Sequence, residues 1–223
     1  MALTLLYGRT GIALEMPDGA VPHVIDKPPF PAVAPPAEQI EAAFDTPHGS
    51  ASLAALCQNR RSACILICDI TRPVPNHLFL RPMIETMLSA GVPAAKITVL
   101  IATGLHRPNE GEELAELVGD PWVLETVSVV NHFALNDEDH VDLGVTKGPG
   151  VPVKLDRRLV DADLRIATGL VEPHFMAGYS GGRKVVAPGV AHHETIRTFH
   201  SARFMEDPAA KECNLDANPL HEE

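Results

Sequence analysis

Two histidines follow apolar runs of the sequence in similar surroundings. The segment 101–106 reads IATGLH, the segment 166–170 reads IATGL, and His174 follows the second segment shortly afterwards. An imidazole exchanges protons near neutral pH, so either ring could serve as a general acid or base. The similarity predicts that two matching strand ends deliver His106 and His174 to one crevice. The alternative is that any buried strand ending in a glycine turn has this appearance.

A third apolar run, residues 63–68, is followed by Asp69 and Arg72. A guanidinium can hold a carboxylate or a phosphate through two parallel hydrogen bonds. A carboxylate at a strand end can accept a hydrogen bond from a sugar hydroxyl. Arg72 is therefore a candidate anion-binding residue, and Asp69 is a candidate nucleotide-binding residue. The structural alternative is a local ion pair or turn formed by the two residues.

The glycine-rich segment YSGGRK is the third candidate for chemistry. Ser180, Gly181 and Gly182 form a predicted turn whose backbone N–H groups could approach a phosphate closely, and Arg183 and Lys184 add positive charge. The spacing is neither that of a Walker A loop nor that of a GxGxxG fingerprint. We therefore expect an anionic ligand of another kind beside Lys184.

Two further histidines are spaced to lie on one face of a predicted helix. His193 and His200 are separated by two helical turns within residues 192–206. A neutral imidazole is a good ligand for nickel, zinc or copper. The sequence has no HExxH motif, paired cysteine set or carboxylate cluster to complete a site, so a metal would need a cofactor that brings its own ligands. The histidines without a spacing signal are predicted to be surface or structural residues: His23, His48, His77, His132, His140, His192 and His221.

The elements that must position these residues follow an α/β pattern. Apolar runs that read as strands alternate with amphipathic helices, which predicts a mostly parallel sheet with flanking helices and an N-terminal β-hairpin. Ligands of such sheets bind beyond the carboxyl ends of the strands. The predicted elements are a hairpin at 2–16, a proline-rich connector at 26–36, a helix at 50–60, strands at 63–68, 97–102, 127–130 and 164–167, a helix ending at Gly91 with Leu80, Met83, Ile84, Met87 and Leu88 on one face, a helix between Asn109 and Gly119, and a helix at 192–206.

The composition excludes several classes of protein. The chain has 223 residues, of which 45% are hydrophobic, which is enough for a core and argues against disorder. Its 18 basic and 29 acidic residues give a net charge of −11, which disfavours a nucleic-acid surface. No leader sequence or apolar run of about 20 residues is visible, so we expect a cytoplasmic protein without a membrane partner.

The spacing of the four cysteines does not indicate a disulfide framework or a zinc site. Cys57, Cys64, Cys68 and Cys213 form no paired motif, so neither a zinc ribbon nor a disulfide set is indicated. Cys64 and Cys68 stand in an apolar run and are predicted to be small core residues.

Several motifs together resemble the lactate racemase family, which uses a nickel-pincer nucleotide. They are DITRP from Asp69, TGLHRP from Thr103, EPHFMAGYSGGRKVVAPGVA from Glu172, TIRTFH from Thr195 and the turn PHGS from Pro47. The resemblance runs along most of the chain, and the third motif is long enough to be specific. It implies a racemase or epimerase of a small 2-hydroxy acid such as lactate, malate or a sugar acid.

The resemblance also implies roles for individual residues. Lys184 matches the lysine that binds the cofactor covalently, and His200 matches the protein ligand of nickel. His106 and His174 match the two acid/base histidines, and Arg72 matches the arginine that holds the substrate carboxylate. The implied reaction is a reversible hydride transfer from C2 of the substrate to the cofactor.

Other positions match the surroundings of the nucleotide. These are Asp69, the turn of Ser180, Gly181 and Gly182, and the neighbouring Arg183. Members of the family are longer and have a second α/β domain that closes the cleft. The resemblance therefore implies that residues 1–223 form the N-terminal cofactor-binding domain, and that its partners are cofactor-synthesis proteins and the missing C-terminal domain.

Two other functions remain open at this stage. Lys184 could form a Schiff base with pyridoxal phosphate, with Ser180, Gly181 and Gly182 on the phosphate; this reading leaves His200 without a role. Alternatively, the chain could be a catalytically inactive module that keeps the fold and holds a nucleotide or a partner. The first alternative predicts an aldimine absorption, and the second predicts neither nickel nor a covalent adduct on Lys184.

Overall fold

The structure of the chain, a computed structural model, describes residues 2–26, 28, 31, 35–148 and 150–223. The proline-rich connector predicted for 26–36 lies largely outside these residues. The strands, in chain order, are β1 Ala2–Leu5, β2 Ile12–Glu15, β3 Ala63–Cys68, β4 Ile97–Ala102, β5 Ser128–Asn131, β6 His140–Val145, β7 Pro152–Asp156, β8 Leu164–Ala167, β9 Pro173–His174 and β10 Gly178–Tyr179. The helices are α1 Pro36–Asp45, α2 Leu53–Cys57, α3 Asn76–Ser89, α4 Gly111–Val118, α5 Pro121–Thr126, α6 Arg157–Val160, α7 Arg183–Val186, α8 His193–Phe199, α9 Ala202–Met205 and α10 Pro219–Glu222.

Residues up to 33 form a compact unit of their own, which contains the β1–β2 hairpin. The two strands pair antiparallel, with Leu5 opposite Ile12. Gly8 and Gly11 lie in the connecting turn with φ of 56° and 72°, a region that glycine enters without a steric penalty. The hairpin predicted from the alternation of residues 2–16 is confirmed.

The second unit, residues 34–223, is built on a four-stranded parallel sheet in the order β5-β4-β3-β8. Ala63 is opposite both Ile97 and Leu164, so β3 begins level with each of its neighbours. Their carboxyl ends consequently meet at one edge of the sheet. The prediction of a mostly parallel sheet is confirmed, and the strands at 63–68, 97–102 and 164–167 have the predicted bounds.

The apolar runs form strands because both faces of the sheet are covered. Ile65 and Ile67 of β3 pack with Leu80 and Ile84 of α3 on one face, and all four side chains are fully buried. Cys64 and Leu66 point to the other face, where Val185 of α7 packs. A strand buried on both sides has no polar positions to alternate with apolar ones, which explains the continuous run.

Three helix boundaries differ from the prediction. The helix expected at 50–60 is confined to α2, which begins after the cap formed by Ser52. Asn109 does not begin α4: its side chain accepts a hydrogen bond from the N–H of Ile70, and the helix starts two residues later. The helix expected at 192–206 is interrupted at His200 and Ser201, whose side chains donate to the backbone carbonyls of Ile196 and Thr198.

No helix within the described part of the chain combines the length and the apolar character that crossing a bilayer requires.

Candidate functional site

A cavity of about 350 Å³ opens at the carboxyl edge of the parallel sheet. This is the edge at which ligands of open α/β sheets bind. Its volume is within the range of ordinary small-molecule sites. Of the predicted site residues, only Gly182 and Arg183 do not line it. The lining contains Asp69, Arg72, His106, His174, Ser180, Gly181, Lys184 and His200.

Five separate segments deliver these side chains to the cavity. Asp69 follows β3 directly, and His106 stands in the turn that follows β4. His174 belongs to the short strand β9, Lys184 belongs to α7, and His200 is the C-cap of α8. The predicted convergence of two strand ends and a helix is therefore present in the fold, whereas the chemical roles of these residues remain predictions.

His106 is held by the carboxylate of Asp69. Its Nδ1 lies 2.5 Å from Oδ2 of Asp69, and Oδ1 of Asp69 accepts hydrogen bonds from the hydroxyl and the backbone N–H of Thr71. Asp69 is 4% exposed, whereas the ring of His106 is 58% exposed. A carboxylate surrounded by donors accepts from Nδ1–H, so Nε2 is the ring nitrogen of His106 that is left to take a proton.

His174 is held in the opposite way. Its Nδ1 accepts hydrogen bonds from the backbone N–H groups of Met176 and Ala177, at 3.4 and 3.2 Å. The neutral ring therefore carries its proton on Nε2. Burial, reinforced by the positive charges of Lys184 and Arg72, lowers the pKa of His174 to about 4. At neutral pH the ring is uncharged and offers Nε2–H as a donor.

Lys184 is a half-buried amine within the cavity lining. Burial and the nearby guanidinium of Arg72 lower the pKa of Lys184 below its ordinary value. A larger fraction of this amine is therefore neutral and nucleophilic than for a solvated lysine. The backbone N–H of Lys184 donates to the carbonyl of Gly181 at 3.0 Å, which fixes the start of α7 against the glycine turn.

His200 keeps one ring nitrogen for a ligand. Its Nδ1–H donates to the carbonyl of Ile196 at 2.7 Å, so the neutral ring has its lone pair on Nε2. His193, which the spacing placed on the same face, does not line the cavity. The interruption of the helix at His200 turns the two rings to different surroundings.

Arg72 is available to an anion. Its guanidinium contacts the carbonyl and hydroxyl oxygens of Thr71, at 3.3 and 3.4 Å. Among the residues that the structure describes, no carboxylate forms a salt bridge with it. The local Asp69–Arg72 ion pair is thus absent from the described part of the chain. The local turn, which was the other form of the structural alternative, is present, because the backbone N–H of Arg72 donates to the carbonyl of Asp69 at 3.1 Å.

Gly182 and Arg183 do not line this cavity. They line a second cavity of about 530 Å³, to which Ser180, Gly181, Lys184 and His200 also contribute. The guanidinium of Arg183 donates to the carbonyl of His221 at 2.7 Å. The assignment of Arg183 and Gly182 to a nucleotide stays a prediction, and the structure directs the Arg183 side chain to the C-terminal segment.

Sequence reasoning assigned no site role to Cys68 and Arg197, two lining residues with reactive or charged side chains. Cys68 was predicted to be a core residue, but it is half-buried and lines the cavity; burial raises the pKa of its thiol. Cys64, by contrast, is fully buried as predicted. Arg197 also lines the cavity, one turn before His200 on α8. Its position at i−3 from a predicted ligand was the available signal.

A separate group of histidines lies in the packed interior rather than at the cavity. His132 is fully buried, its Nδ1 lies 3.0 Å from Oδ2 of Asp156, and its Nε2 lies 3.0 Å from the carbonyl of Ala191. Each ring nitrogen of His132 thus lies within hydrogen-bond distance of an oxygen atom in the packed interior. His140 packs edge-on against His132 with ring centroids 5.1 Å apart.

Asp156 is the negative charge of this group. Burial by itself raises the pKa of Asp156, but hydrogen bonds from Arg158 and His132 outweigh it and lower that pKa to about 2. Arg158 approaches both carboxylate oxygens, at 2.8 and 2.5 Å. No spacing signal in the sequence links His132 to Asp156, because they are 24 positions apart and meet only through the fold.

The comparisons with known proteins agree on one family. Residues 7–212 match the lactate racemase N-terminal domain. The chain is 37% identical over 186 residues to the lactate racemase of Lactiplantibacillus plantarum, which covers 83% of the chain and 43% of that protein. It is 31% identical over 217 residues to the lactate racemase of Thermoanaerobacterium thermosaccharolyticum, which covers 96% of the chain and 50% of that protein.

Solved structures show the same fold. The apoprotein of the T. thermosaccharolyticum lactate racemase superposes with a TM-score of 0.81 at 29% identity, over 99% of the chain and 51% of that structure. A Thermotoga maritima protein of 24% identity gives a TM-score of 0.65, a likeness of fold alone, over 83% of the chain and 45% of that structure. The chain thus spans about half the length of the curated relatives that it matches.

Proposed function

Since the chain belongs to the lactate racemase N-terminal domain family, we propose that it is the cofactor-binding part of an isomerase that interconverts the enantiomers of a small 2-hydroxy acid. The observation that carries this proposal is the meeting of Lys184, His200, His106 and His174 in one cavity lining. These residues come from distant parts of the sequence, and neither burial nor stability requires them to converge.

The residues present fit the nickel-pincer nucleotide that the family resemblance implies. The lowered pKa of Lys184 favours the neutral amine that a covalent linkage requires. His200 offers Nε2 as a single imidazole donor, which suits a metal whose other ligands come with the cofactor. We therefore propose that Lys184 holds the cofactor covalently and that His200 is the protein ligand of nickel.

The nucleotide part of such a cofactor needs polar contacts close to Lys184. Ser180 and Gly181 line the same cavity, and Gly181 has a φ of 73° that only glycine adopts readily. A Cβ at Gly181 would lie 3.0 Å from the carbonyl oxygen of Leu170, which leaves no room for a side chain. We propose that this turn contacts the phosphate, together with Gly182 and Arg183 at the second cavity.

When bound, the cofactor supplies an electrophilic carbon that accepts a hydride from C2 of the substrate. The chain's own residues position the substrate and handle its proton. Arg72, which has no carboxylate partner among the described residues, holds the substrate carboxylate. His106 takes the hydroxyl proton at Nε2 and becomes an imidazolium that Asp69 stabilises at Nδ1.

His174 is the second acid/base histidine, and it serves the opposite enantiomer of the substrate. In its neutral form it donates from Nε2 to the substrate oxygen while His106 accepts. For the opposite enantiomer the roles exchange, and Nδ1 of His174 must then give up the backbone N–H groups of Met176 and Ala177. Two histidines that can exchange roles are what a reaction that runs equally in both directions requires.

We propose that the remainder of the protein covers the cavity. Leu105 and Phe175 belong to its lining and are 54% and 66% exposed, so the opening has an apolar rim that contacts water. Exclusion of water strengthens the electrostatic interactions within an active site. The curated relatives are about twice as long as the matched region, and the part of them beyond that region is long enough to form such a cover.

The test is the mass and metal content of the chain produced together with cofactor-synthesis proteins. We expect one covalent adduct and one nickel per chain, both lost in Lys184→Met and both kept in the matched control Lys96→Met, whose side chain is exposed. An aldimine absorption that hydroxylamine removes would instead support pyridoxal phosphate. A well-folded chain with neither adduct nor nickel would support the inactive module and overturn the proposal.

The reaction itself is tested on the complete protein. Loaded enzyme should convert either enantiomer of lactate, malate or a sugar acid to the racemic or epimeric mixture. Arg72→Gln should raise KM strongly, because the carboxylate loses a bidentate partner. Conversion that is independent of Lys184 would contradict the mechanism.

A further inference from the structure

A second group of ligating side chains lies at the start of α8. His192, His193 and Glu194 each offer one ligand atom, and the three atoms lie within 4.8 Å of one another. None of these three described residues lines the cavity that contains His200. We propose that this group binds one divalent cation of the zinc type, at a site separate from the cavity.

The backbone already holds the group in place. The N–H of His192 donates to the carbonyl of Lys154 in β7, and the N–H of His193 donates to the carbonyl of Ala134, each at 2.9 Å. A β-bridge between Leu155 and Ala191 fixes the residue before them. Ligands whose backbone is fixed pay little conformational entropy when a cation binds.

Two buried ring nitrogens in this region have no partner. Nδ1 of His193 and Nε2 of His140 are both inaccessible to water and make no hydrogen bond within the described residues. His140 is 8% exposed, and its ring centroid lies 4.9 Å from that of His192. An unpaired buried polar atom is destabilising, and a bound ligand would remove that cost. Nδ1 of His193 is therefore an atom of the cluster that lacks a hydrogen-bond partner within the described residues.

The charges around the group favour a cation. The carboxyl group of Glu194 belongs to the cluster, and that of Asp137 lies against the ring of His192. Both ring nitrogens of His192 have a neighbour: Nε2 lies 2.8 Å from Oδ1 of Asp137, and Nδ1 accepts from the N–H of Glu194 at 3.3 Å. A cation that binds His192 must displace one of these two contacts. Two imidazoles and a carboxylate form a donor set that zinc uses.

One group opposes the cation. Nζ of Lys154 lies 2.6 Å from Oε2 of Glu194, so a metal must use the other carboxylate oxygen or displace the ammonium. This competition makes a specific prediction, because removing the lysine charge should tighten the site. The proposal does not rest on the racemase function.

The experiment titrates the dialysed, metal-free chain with zinc chloride by calorimetry, and with cobalt(II) by absorption. We expect one zinc per chain, a raised melting temperature in the presence of zinc, and ligand-field bands from bound cobalt. His200→Ala should bind zinc as the wild type does, since His200 belongs to the cavity. Glu194→Gln and His193→Gln should weaken binding by at least about tenfold, and Lys154→Met should strengthen it.

The variants keep the proposal falsifiable even if one of them fails to fold. The side chain of Glu194 is 49% exposed, so Glu194→Gln preserves the packing. Equal zinc affinity in wild type and Glu194→Gln would overturn the proposal, as would loss of zinc binding in His200→Ala. Either result leaves the covalent adduct on Lys184 unaffected, so failure of this site and failure of the proposed function are distinguishable.

Discussion

The histidines of this chain occupy two contrasting regions. His106, His174 and His200, the cavity histidines, each have Nδ1 engaged and make no hydrogen bond at Nε2 with any residue that the structure describes. Among the packed histidines, His132 has both ring nitrogens engaged by protein atoms. A ring with a free nitrogen can exchange a proton or bind a metal, whereas a ring engaged on both sides fixes neighbouring segments.

Burial alone does not separate the two regions, because charge balance differs as well. The buried ring of His132 faces a full negative charge on Asp156, which Arg158 also contacts. The cavity ring of His174 faces the positive charges of Lys184 and Arg72. The packed region thus compensates charge internally, and the cavity leaves an excess of positive charge for an anionic ligand to neutralise.

The largest expected effect concerns the cavity histidines. In the complete, cofactor-loaded protein, His106→Ala should lower the racemisation rate by about 10²–10⁴ because the acceptor of the hydroxyl proton is removed. A chiral assay measures the rate, and the exposed His23→Ala is the control. A loss smaller than about tenfold would contradict the assignment of His106 as the proton acceptor.

The next effect concerns the packed region. Asp156→Asn should lower the free energy of unfolding by about 3–5 kcal/mol, because Arg158 loses its counter-charge and the buried ring of His132 loses a carboxylate partner. Urea denaturation measures the change. Glu85→Gln, which breaks the exposed pair with Arg81, should cost no more than about 1 kcal/mol. Similar losses in both variants would remove the distinction between buried and exposed pairs.

A smaller effect is expected from pH. Because the pKa of His174 is lowered to about 4 from an ordinary 6.5, the unfolded chain binds more protons than the folded chain between these values. Stability should therefore fall as the pH is lowered through this window. After solvent screening we expect His174 to account for about 1 kcal/mol of the loss.

The matched variant isolates this contribution. His174→Gln should lose less stability than the wild type when urea unfolding is compared at neutral and acidic pH. Part of the acid sensitivity should remain in the variant, because burial also lowers the pKa of the packed His140. Identical pH dependence in the two proteins would contradict the environment described for His174.

The smallest expected effect is on the stability of a cavity variant. His106→Ala should change the free energy of unfolding by less than about 1 kcal/mol, because its ring is 58% exposed and its ion pair with Asp69 is screened. His132→Ala should cost several times more, since it empties a fully buried site and removes one of the hydrogen bonds to Asp156. Equal costs would show that the two regions share one structural role.

The strands of the parallel sheet could be predicted because their signal is local. Continuous apolar runs at 63–68, 97–102 and 164–167 can only be buried on both faces, and each forms a strand with the expected bounds. The β6–β7 hairpin was not predicted. Its strands HVDLGV and PVKLD alternate polar and apolar residues, so the alternation was the available signal and was missed.

The site was predictable to the extent that its residues follow the strands. Residues placed directly after parallel strands must share one edge, which brings Asp69 and His106 together. Arg183 shows the limit: it is adjacent in sequence to Lys184, yet its side chain reaches His221 instead of the cavity. Adjacent residues of a short helix point to different faces, and no sequence pattern shows which of these faces meets the cavity.

The sequence by itself determined where the strands run, which residues are available at their ends, and the family resemblance that gives those residues a function. Only the tertiary structure decided the state of each ring: Asp69 fixes His106 at Nδ1, backbone amides fix His174 in the opposite tautomer, and His132 is enclosed with Asp156. The physical reason is that apolar patterning acts over a few neighbouring residues. Hydrogen bonding and charge compensation depend on partners that lie tens of positions away and meet only when the sheet assembles.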